Sequence, residues 1–381
     1  MTLSMRVETS HKYSFSSPLR YMFKVMLVPE RMGTARGFHY IVLLDTSGSM
    51  TGYKMDVAKQ GASALLSRIP EGNKVTFITF SDNVKVIKEA VDPQSVEDLS
   101  SITASGQTVL YTALLTANKI ARSHEMPSYV LLLTDGNPTD QTNTEVYSAI
   151  QFSKDLQIIA FGIGDDYNEV LLKTLADKTN GLFYHISDPN EIAEKLPKKA
   201  VTEIAAKNVV VDLVTEGSGT KLLNYSSLPV KVNAVENVVK VLGETEMPAN
   251  YSGTFLTVRV QYEDPATGKQ EAVMTPIEVK PAKDQQTFMA GVNNDLISEY
   301  RYYELLNKYA KQIQGEELVE ATRTLTQLNQ VAQQTRRIEL IETTRRLSNE
   351  LETTKRLGST EQTKRLSKEV TSEVTRKLRE G

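Results

Sequence analysis

Between Phe38 and Glu203, short apolar runs alternate with amphipathic stretches, and no other feature of the sequence constrains the fold as strongly. The runs are five or six residues long, and they lie at Tyr40–Leu44, Val75–Phe80, Tyr129–Leu133 and Leu156–Phe161. Runs of this kind are typical of strands that are buried on both faces of a parallel sheet. The stretches between them have helical spacing and lie at Met55–Ile69, Val109–Ser123 and Val170–Lys178. The sequence therefore predicts a doubly wound α/β domain over residues 37–205.

Short runs of β type lie on both sides of this domain. Two precede it within residues 1–36, at Met5–Tyr13 and Tyr21–Val28. Five follow it within residues 206–282, at Val209–Val214, Val230–Val235, Val238–Leu242, Phe255–Tyr262 and Ala272–Val279. Neither group makes a well-protected sheet alone, because each leaves strand edges unpaired. We therefore expect the two groups to form one β-sandwich into which the α/β domain is inserted.

The remainder of the chain is helical in pattern and divides into two parts. Residues 283–334 show helix spacing at Leu296–Ile313 and Glu316–Val331, with a break at Gly315. Residues 335–381 contain no Pro and no aromatic residue, and they carry nine Thr, four Ser, twelve Lys or Arg and eight Glu. This composition gives the last segment a net charge of +4 in a chain whose total is -3. We treat it as a separate tail.

The tail repeats a pattern of Thr, two basic residues and an aliphatic residue. Copies begin at Thr335, Thr344, Thr354 and Thr363, at intervals of 9, 10 and 9, and a looser copy begins at Thr375. At about 100° per residue, these intervals place the first four Thr on four sides of a helix. We therefore expect a set of linear motifs rather than a packed helix. The alternative is a solvated helix whose Glu and Arg side chains pair along its surface.

The composition excludes several classes of protein. The sequence has no Cys, which excludes disulfide scaffolds, zinc fingers, iron–sulfur clusters and thiol catalysis. A total of 44 basic against 47 acidic residues does not favour direct binding to nucleic acid. No apolar run reaches the roughly 18 residues that cross a bilayer, and the N-terminus has no apolar signal segment. We expect a cytoplasmic protein with no membrane partner.

Oxygen-bearing side chains follow the predicted strands. Asp45, Ser47 and Ser49 come directly after the first strand of the α/β domain, Asp135 follows the third, and Thr108 lies just before a helix. In a doubly wound sheet, ligands bind beyond the carboxyl ends of the strands. Two carboxylates and three hydroxyls suit a hard divalent cation, and we expect Mg²⁺. The alternative is that these residues only cap a helix and form a turn.

The pattern Asp45-x-Ser-x-Ser49, with Thr108 and Thr134-Asp135-Gly136, resembles the metal-ion-dependent adhesion site of von Willebrand factor type A (VWA) domains. The resemblance covers about Phe38 to Glu203. It implies that these side chains hold the ion and that its open position accepts an acidic side chain from a protein partner. The inserted arrangement resembles the inner-coat subunits of COPII vesicles. The domain order and the tail resemble archaeal VWA regulators of the ArnB group, which bind a forkhead-associated (FHA) domain protein and restrain motility-gene expression.

Ser and Thr residues of the tail resemble modification sites. Ser that follows a basic pair resembles the substrates of basophilic kinases, and Thr with an aliphatic residue three positions on resembles the phosphothreonine ligands of FHA domains. Each phosphate would add nearly two negative charges. The resemblance implies a Ser/Thr protein kinase and a phosphatase as partners. The candidate sites are Thr335, Thr343, Thr344, Ser348, Thr353, Thr354, Ser359, Thr360, Thr363 and Ser367.

Catalytic motifs are missing from the sequence. It has no phosphate-binding Gly-x-x-x-x-Gly-Lys loop and no Gly-x-Ser-x-Gly or His-Glu-x-x-His motif, and the two motif Asp have no general base beside them in sequence. We therefore predict a Mg²⁺-dependent, phosphorylation-controlled interaction scaffold that represses archaellum genes, and not an enzyme. Two alternatives stay open. One is a VWA subunit that assists a separate ATPase of chelatase or chaperone type, and the other is a regulator that binds nucleic acid through the basic tail.

Overall fold

The computed structural model describes residues 2–96, 99–357 and 360–379. It begins with four strands, β1 (Leu3–Thr9), β2 (Tyr13–Ser14), β3 (Leu19–Pro29) and β4 (Gly33–Thr34). β1 and β3 pair antiparallel. Side chains alternate along β3, so Phe23 and Val25 face the core of a β-sandwich, whereas Met22 faces the C-terminal helices. β3 therefore joins two hydrophobic cores.

The α/β domain follows. Its strands are β5 (His39–Asp45), β6 (Lys74–Phe80), β7 (Val84–Val91), β8 (Ser128–Thr134), β9 (Leu156–Ile163) and β10 (Leu182–Ile186). Its helices are α1 (Tyr53–Arg68), α2 (Leu110–Ser123), α3 (Thr144–Ala149), α4 (Glu169–Lys178) and α5 (Asn190–Lys195), with short 3-10 helices at Gly48–Met50, Pro93–Ser95 and Pro197–Lys199. The sheet order is β10-β9-β8-β5-β6-β7, and only β7 runs antiparallel.

The α/β sheet is buried on both faces, as the apolar runs predict. Tyr40 and Val42 of β5 pack in the core that contains α1, and Ile41 and Leu43 pack in the core that contains α2. The four predicted strands of this domain are all present. β7 and β10 were not predicted, because β7 is a largely exposed edge strand and β10 has only five residues.

The β-sandwich takes strands from both sides of the α/β domain. The later strands are β11 (Glu203–Ile204), β12 (Ala206–Thr215), β13 (Ser218–Leu222), β14 (Val230–Val235), β15 (Val239–Met247), β16 (Gly253–Glu263) and β17 (Gln270–Pro281). The two sheets have the orders β1-β3-β15-β13 and β14-β12-β16-β17-β2, and β4 pairs with β11. β15 pairs with β3, from Val239 opposite Leu27 to Met247 opposite Leu19. The prediction of an α/β domain inserted into a β-sandwich is confirmed.

Five helices complete the chain: α6 (Gln285–Ala290), α7 (Asn294–Gln314), α8 (Leu318–Thr335), α9 (Ile338–Leu357) and α10 (Thr360–Arg379). Asn293 caps α7 by accepting a hydrogen bond from the Leu296 N–H at 3.1 Å, and α7 ends at Gly315 as predicted. α8 ends where Arg336 takes a left-handed φ of 55°. Within the described ranges, none of these or the other helices has the length and apolarity to cross a bilayer.

The expectation that the tail consists of unpacked linear motifs is wrong. Apolar side chains from both α9 and α10, among them Leu347 and Val370, are buried in one core with α7 and α8. The four Thr do not share one helix axis, because Thr335 ends α8 and Thr363 lies in α10, so angles counted along a single helix do not apply to them. Within α9, five buried residues follow spacings of four and three, as in packed helices, and Thr343 is buried beside them; the five are Leu340, Thr344, Leu347, Leu351 and Thr354.

Candidate metal centre

The five candidate ligands meet at the carboxyl edge of the α/β sheet. Asp45 is the last residue of β5, and Asp135 follows β8 directly. Because β5 and β8 are parallel neighbours, their carboxyl ends lie side by side. Ser47 and Ser49 lie in the loop after β5, and Thr108 lies just before α2. All except Ser49 are buried.

Short contacts link these side chains. The Ser49 hydroxyl donates to Asp135 Oδ1 at 2.7 Å and lies 3.0 Å from the Ser47 hydroxyl. The backbone N–H of Ser47 donates to Asp45 Oδ1 at 2.8 Å. A Cβ atom added at Gly136 would lie 3.3 Å from Thr108 Oγ1 and 3.6 Å from Ser49 Oγ. The structure therefore brings together the residues that the sequence pattern selects, around a cradle that Gly136 leaves open.

The loops that carry the ligands are fastened to one another. The N–H of Gly48 donates to the carbonyl of Gly106 at 3.0 Å, and the N–H of Ser105 donates to the carbonyl of Thr46 at 2.8 Å. Gly106 has a φ of 82°, a conformation that disfavours other residues. Asp82 accepts a hydrogen bond from the Gln107 N–H at 3.0 Å. These contacts hold the Thr108 loop against the Asp45 loop without the help of a ligand.

The donor set fits a hard divalent cation. It consists of oxygen atoms alone, and only two of the five side chains are carboxylates. Within the described residues, no group of three or more His, Asp or Glu side chains forms another candidate metal site. Few carboxylates leave room for water or an outside ligand in the shell of an ion such as Mg²⁺.

Burial shapes the electrostatics of this centre. It raises the pKa of Asp45 to about 6, although hydrogen bonds from Thr134 and Ser47 oppose the change. Asp135 stands nearby and also raises that pKa through charge repulsion. Two buried carboxylates so close together are stabilised by a positive charge beside them.

Lys54 supplies one such positive charge, and sequence reasoning missed it. Its Nζ lies 2.6 Å from Asp135 Oδ2. Lys54 is in the first turn of α1, where the helix dipole disfavours a cation. A basic residue in that unfavourable place, directly after the Asp-x-Ser-x-Ser loop, is the signal that would have identified it.

At the opposite edge of the domain from β7, α10 covers the edge strand β10. The Ser372 hydroxyl donates to the Phe183 carbonyl at 3.2 Å and accepts from the His185 N–H at 3.1 Å. Arg379, near the end of α10, pairs with Asp177 at 2.8 Å. Sequence reasoning missed this contact, because its partners lie 187 to 202 residues apart and leave no local pattern.

The candidate phosphorylation sites differ in exposure. Among the described side chains, only Thr353 is exposed, and Thr335 and Ser348 are half-buried. Ser359 and the Thr360 side chain lie outside the described part of the structure. The buried candidates are Thr343, Thr344, Thr354, Thr363 and Ser367.

Many basic side chains of the tail are already paired with carboxylates. Arg346 bonds to Glu350 at 2.9 Å, and Arg365 bonds to Glu369 at 3.1 Å. Arg337, at the start of α9, reaches the buried carboxylate of Glu299 at 2.8 Å. Glu350 and Glu369 are already counted in the tail's net charge of +4, whereas Glu299 lies outside the tail, so the last pair offsets one of these positive charges.

Comparison with known proteins gives two family models. The von Willebrand factor type A domain matches residues 41–198, and the archaellum regulatory network B, C-terminal domain matches residues 294–380. The first includes all five candidate ligands, and the second includes α7 to α10.

Among solved structures, the chain is similar to the ArnB paralog VWA2 from Sulfolobus acidocaldarius. The two are 30% identical with a TM-score of 0.86, over 100% of this chain and 98% of that one. A von Willebrand factor type A protein from Catenulispora acidiphila shares the fold, with 16% identity and a TM-score of 0.71 over 90% of this chain and 89% of that one.

Curated relatives match a smaller part of the chain. An uncharacterised protein of Synechocystis is 27% identical over 39% of this chain and 38% of its own length. Inter-alpha-trypsin inhibitor heavy chain H3 of Bos taurus is 28% identical over 39% of this chain and 19% of its own length. The chain thus spans less than two fifths of the length of these curated relatives.

Proposed function

The chain belongs to the ArnB family of von Willebrand factor type A proteins, and we propose that it is a cytoplasmic regulator that represses archaellum genes by binding a protein partner with an FHA domain. In this role the chain is a scaffold and not an enzyme. Its metal centre contributes one binding surface, and its phosphorylated tail contributes the other.

One observation carries the proposal. The model named for archaellum regulation matches residues 294–380, which include every candidate phosphorylation site. The whole chain is similar to the ArnB paralog VWA2. The likeness therefore extends beyond the VWA domain to the C-terminal helices.

The metal centre is proposed to bind Mg²⁺. Asp45, Ser47, Ser49, Thr108 and Asp135 would hold the ion, directly or through water. When bound, the ion supplies an electrophilic position that an acidic side chain of the partner completes. The chain's own residues shape the site. The Gly48–Gly106 hydrogen bond keeps the ligand loops in place, and Gly136 keeps the approach to the ion open.

The tail is proposed to carry the regulation, through a Ser/Thr protein kinase and a phosphatase. A phosphothreonine reader contacts the phosphate and the residues around it. Thr344 and Thr354 instead donate to carbonyls of their own helix, at 2.8 and 2.9 Å, and are buried. Reading these sites therefore requires that the helices separate from the bundle.

The contacts of the tail weigh against the nucleic-acid alternative. Binding to a phosphate backbone uses exposed Lys and Arg, and four of the tail's twelve basic residues, Arg337, Arg346, Arg365 and Arg379, are already in ion pairs. Nothing in the structure favours a role beside an ATPase over the proposed one.

Two measurements test the proposed function. Disruption of the gene in its own host should raise archaellin transcripts, and unchanged transcripts would contradict repression. Asp45→Ala should abolish Mg²⁺ binding, measured by calorimetry, and should leave the circular dichroism spectrum unchanged. Thr51→Ala is the matched control in the neighbouring loop, because the Thr51 hydroxyl donates only to the Gly48 carbonyl. If Asp45→Ala binds Mg²⁺ like the parent chain, the assignment of the site is wrong.

A further inference from the structure

The strand β10 ends the α/β sheet and would expose an unpaired edge without α10. β10 pairs only with β9 in the sheet order, and uncovered strand edges invite pairing with other chains. The Ser372 hydroxyl bonds to the outward N–H of His185 and the outward carbonyl of Phe183. α10 therefore occupies the edge and satisfies part of its backbone.

The neighbouring contact of α10 is made with Glu169 by two hydroxyls, those of Thr371 and Ser367. Ser367 Oγ lies 3.0 Å from Glu169 Oε2 and 3.2 Å from Oε1, so the hydroxyl donates to a carboxylate. Both residues are buried, with 5% and 9% of their surface exposed. The pair is stable because one partner is a neutral donor and the other is an acceptor.

Phosphorylation of Ser367 would turn this attractive contact into a repulsive one. A phosphoserine at neutral pH has no hydroxyl hydrogen to donate to Glu169, and it carries nearly two negative charges. Two like-charged groups buried side by side repel strongly, since little water screens them. Two cations, Lys368 and Lys173, lower the pKa of Glu169 and would offset part of this repulsion. Lys368 is also engaged by the Asp165 carbonyl and lies 4.4 Å from the Tyr167 ring, while the phosphate adds nearly two charges and needs room in a buried contact.

The undocked helix has no such penalty. Lys364 is exposed and lies three positions before Ser367, so it can approach the phosphate along the surface of the helix. Because Ser367 is buried in the docked state, a kinase acts on the minority of molecules in which α10 has separated. The phosphate then shifts the population toward that state.

We propose that phosphorylation of Ser367 displaces α10 from the β10 edge, so that the tail reaches a phosphothreonine reader only after this helix has undocked. The inference takes from the proposed function only that the tail is a substrate of a Ser/Thr kinase. It adds a position that controls access to the other sites, and it names Glu169 as the group that makes this position sensitive to charge.

The test measures the position of α10 directly and needs no partner protein. The chain has no Cys, so Glu145→Cys on α3 and Glu361→Cys on α10 attach two spin labels at exposed positions and leave Lys364 in place. Pulsed dipolar spectroscopy then gives the distance distribution in the full chain, with phosphoserine inserted at position 367 during translation. The unmodified chain should give one narrow distribution. The phosphorylated chain should give a broad distribution at longer distances.

Three comparisons make the result specific. Glu169→Gln in the phosphorylated chain should restore part of the short-distance population, because it removes the opposing charge. Phosphoserine at position 348 should leave the distribution unchanged, because Ser348 is half-buried and donates to the Thr344 carbonyl of its own helix. Ser367→Ala should stay docked.

A short, narrow distribution with phosphoserine at 367 would overturn the inference, as would undocking that Glu169→Gln leaves unaltered. These outcomes are separate from the proposed function. Failure to bind an FHA-domain protein would contradict the proposed function and leave the measured undocking in place.

Discussion

Hydroxyl side chains make different contacts in the metal centre and in the C-terminal tail. At the metal centre, the hydroxyls of Ser47 and Ser49 lie beside the carboxylate of Asp135. In the tail, Thr344 and Thr354 donate to carbonyls one turn back in their own helix. A loop at a sheet edge holds its hydroxyls toward a shared centre, whereas a packed helix turns them inward against its own backbone.

This difference explains why sequence spacing was informative in one region and misleading in the other. The spacing of Asp45, Ser47 and Ser49 lies within one short loop whose start is fixed by the end of β5. The spacing of the tail repeats crosses the helix end at Thr335, and the copies are distributed over α8, α9 and α10. Intervals carry angular meaning only while the helix continues.

The largest expected effect comes from breaking the tail's attachment to the β-sandwich. Glu299 is 1% exposed and accepts hydrogen bonds from Lys24 at 2.7 Å and from Arg337 at 2.8 Å. Glu299→Ala leaves Lys24 buried with one acceptor fewer and should lower the free energy of unfolding by about 3–5 kcal/mol. Urea denaturation measures this loss. An unchanged midpoint would mean that the tail helices are not part of the cooperative fold.

A smaller loss is expected from the packing of α9 itself. Leu347 is 1% exposed within the helical core, so Leu347→Ala should cost about 2–4 kcal/mol in unfolding free energy. Thr353 lies on the exposed side of the same helix, and Thr353→Ala should stay within about 0.5 kcal/mol of the parent chain. Equal urea midpoints for Leu347→Ala and Thr353→Ala would mean that the tail is not packed.

A pH effect is expected where α10 meets the α/β domain. Burial lowers the pKa of His185 to about 4, from an ordinary value of 6.5, although Asp165 opposes the change. As pH falls, the His185 imidazole is protonated in the unfolded chain at a higher pH than in the folded chain. The free energy of unfolding therefore decreases as pH falls from 6.5 toward 4. The loss should be about 2 kcal/mol at pH 5.

His185→Gln checks that sign, because Gln keeps an acceptor for the Tyr167 hydroxyl, which lies 2.8 Å from His185 Nδ1. Thermal unfolding between pH 7 and pH 5 should show a smaller decrease for this variant than for the parent chain. Burial also lowers the pKa of His39 to about 4. Part of the decrease in stability with falling pH should therefore remain in both the variant and the parent chain. Parallel pH profiles would rule out the assigned role of His185.

The smallest effect concerns the metal centre. Lys54 places a positive charge 2.6 Å from Asp135, where it opposes the approach of a cation. Lys54→Met should therefore tighten Mg²⁺ binding about fivefold to tenfold, or roughly 1 kcal/mol. The matched control is Lys74→Met, since Lys74 pairs with the exposed Asp92. Equal Mg²⁺ affinities for the two variants in calorimetry would show that Lys54 does not compete with the ion.

Local patterns predicted much of the fold. The apolar runs at Tyr40–Leu44 and Tyr129–Leu133 identified the strands that carry Asp45 and Asp135, because strands buried on both faces need continuous apolar sequence. β13 was not among the predicted strands, since Ser218–Leu222 is mostly polar and contains Gly219. Its place in the sheet comes from pairing with β15.

The contacts that local patterns could not predict are those between distant segments. The bond between Ser372 and His185 spans 187 residues, and the Lys54–Asp135 pair spans 81. Side chains of these types are common on helices, and only the tertiary structure selects which of them meet. The leucine spacing of α9 is present in the sequence beside the more conspicuous Thr repeat, and it is the leucine spacing that corresponds to the packing.

Hydrogen exchange across residues 335–379 of the unmodified full chain tests the central claim most directly. If the tail is a docked part of the fold, amides of Leu347–Leu351 and Leu366–Val374 should exchange slowly, as those of β5 do, because they open only with the helical core. Exchange across the tail at the rate of an unstructured peptide, with β5 still protected, would contradict the account and return the tail to a set of free linear motifs.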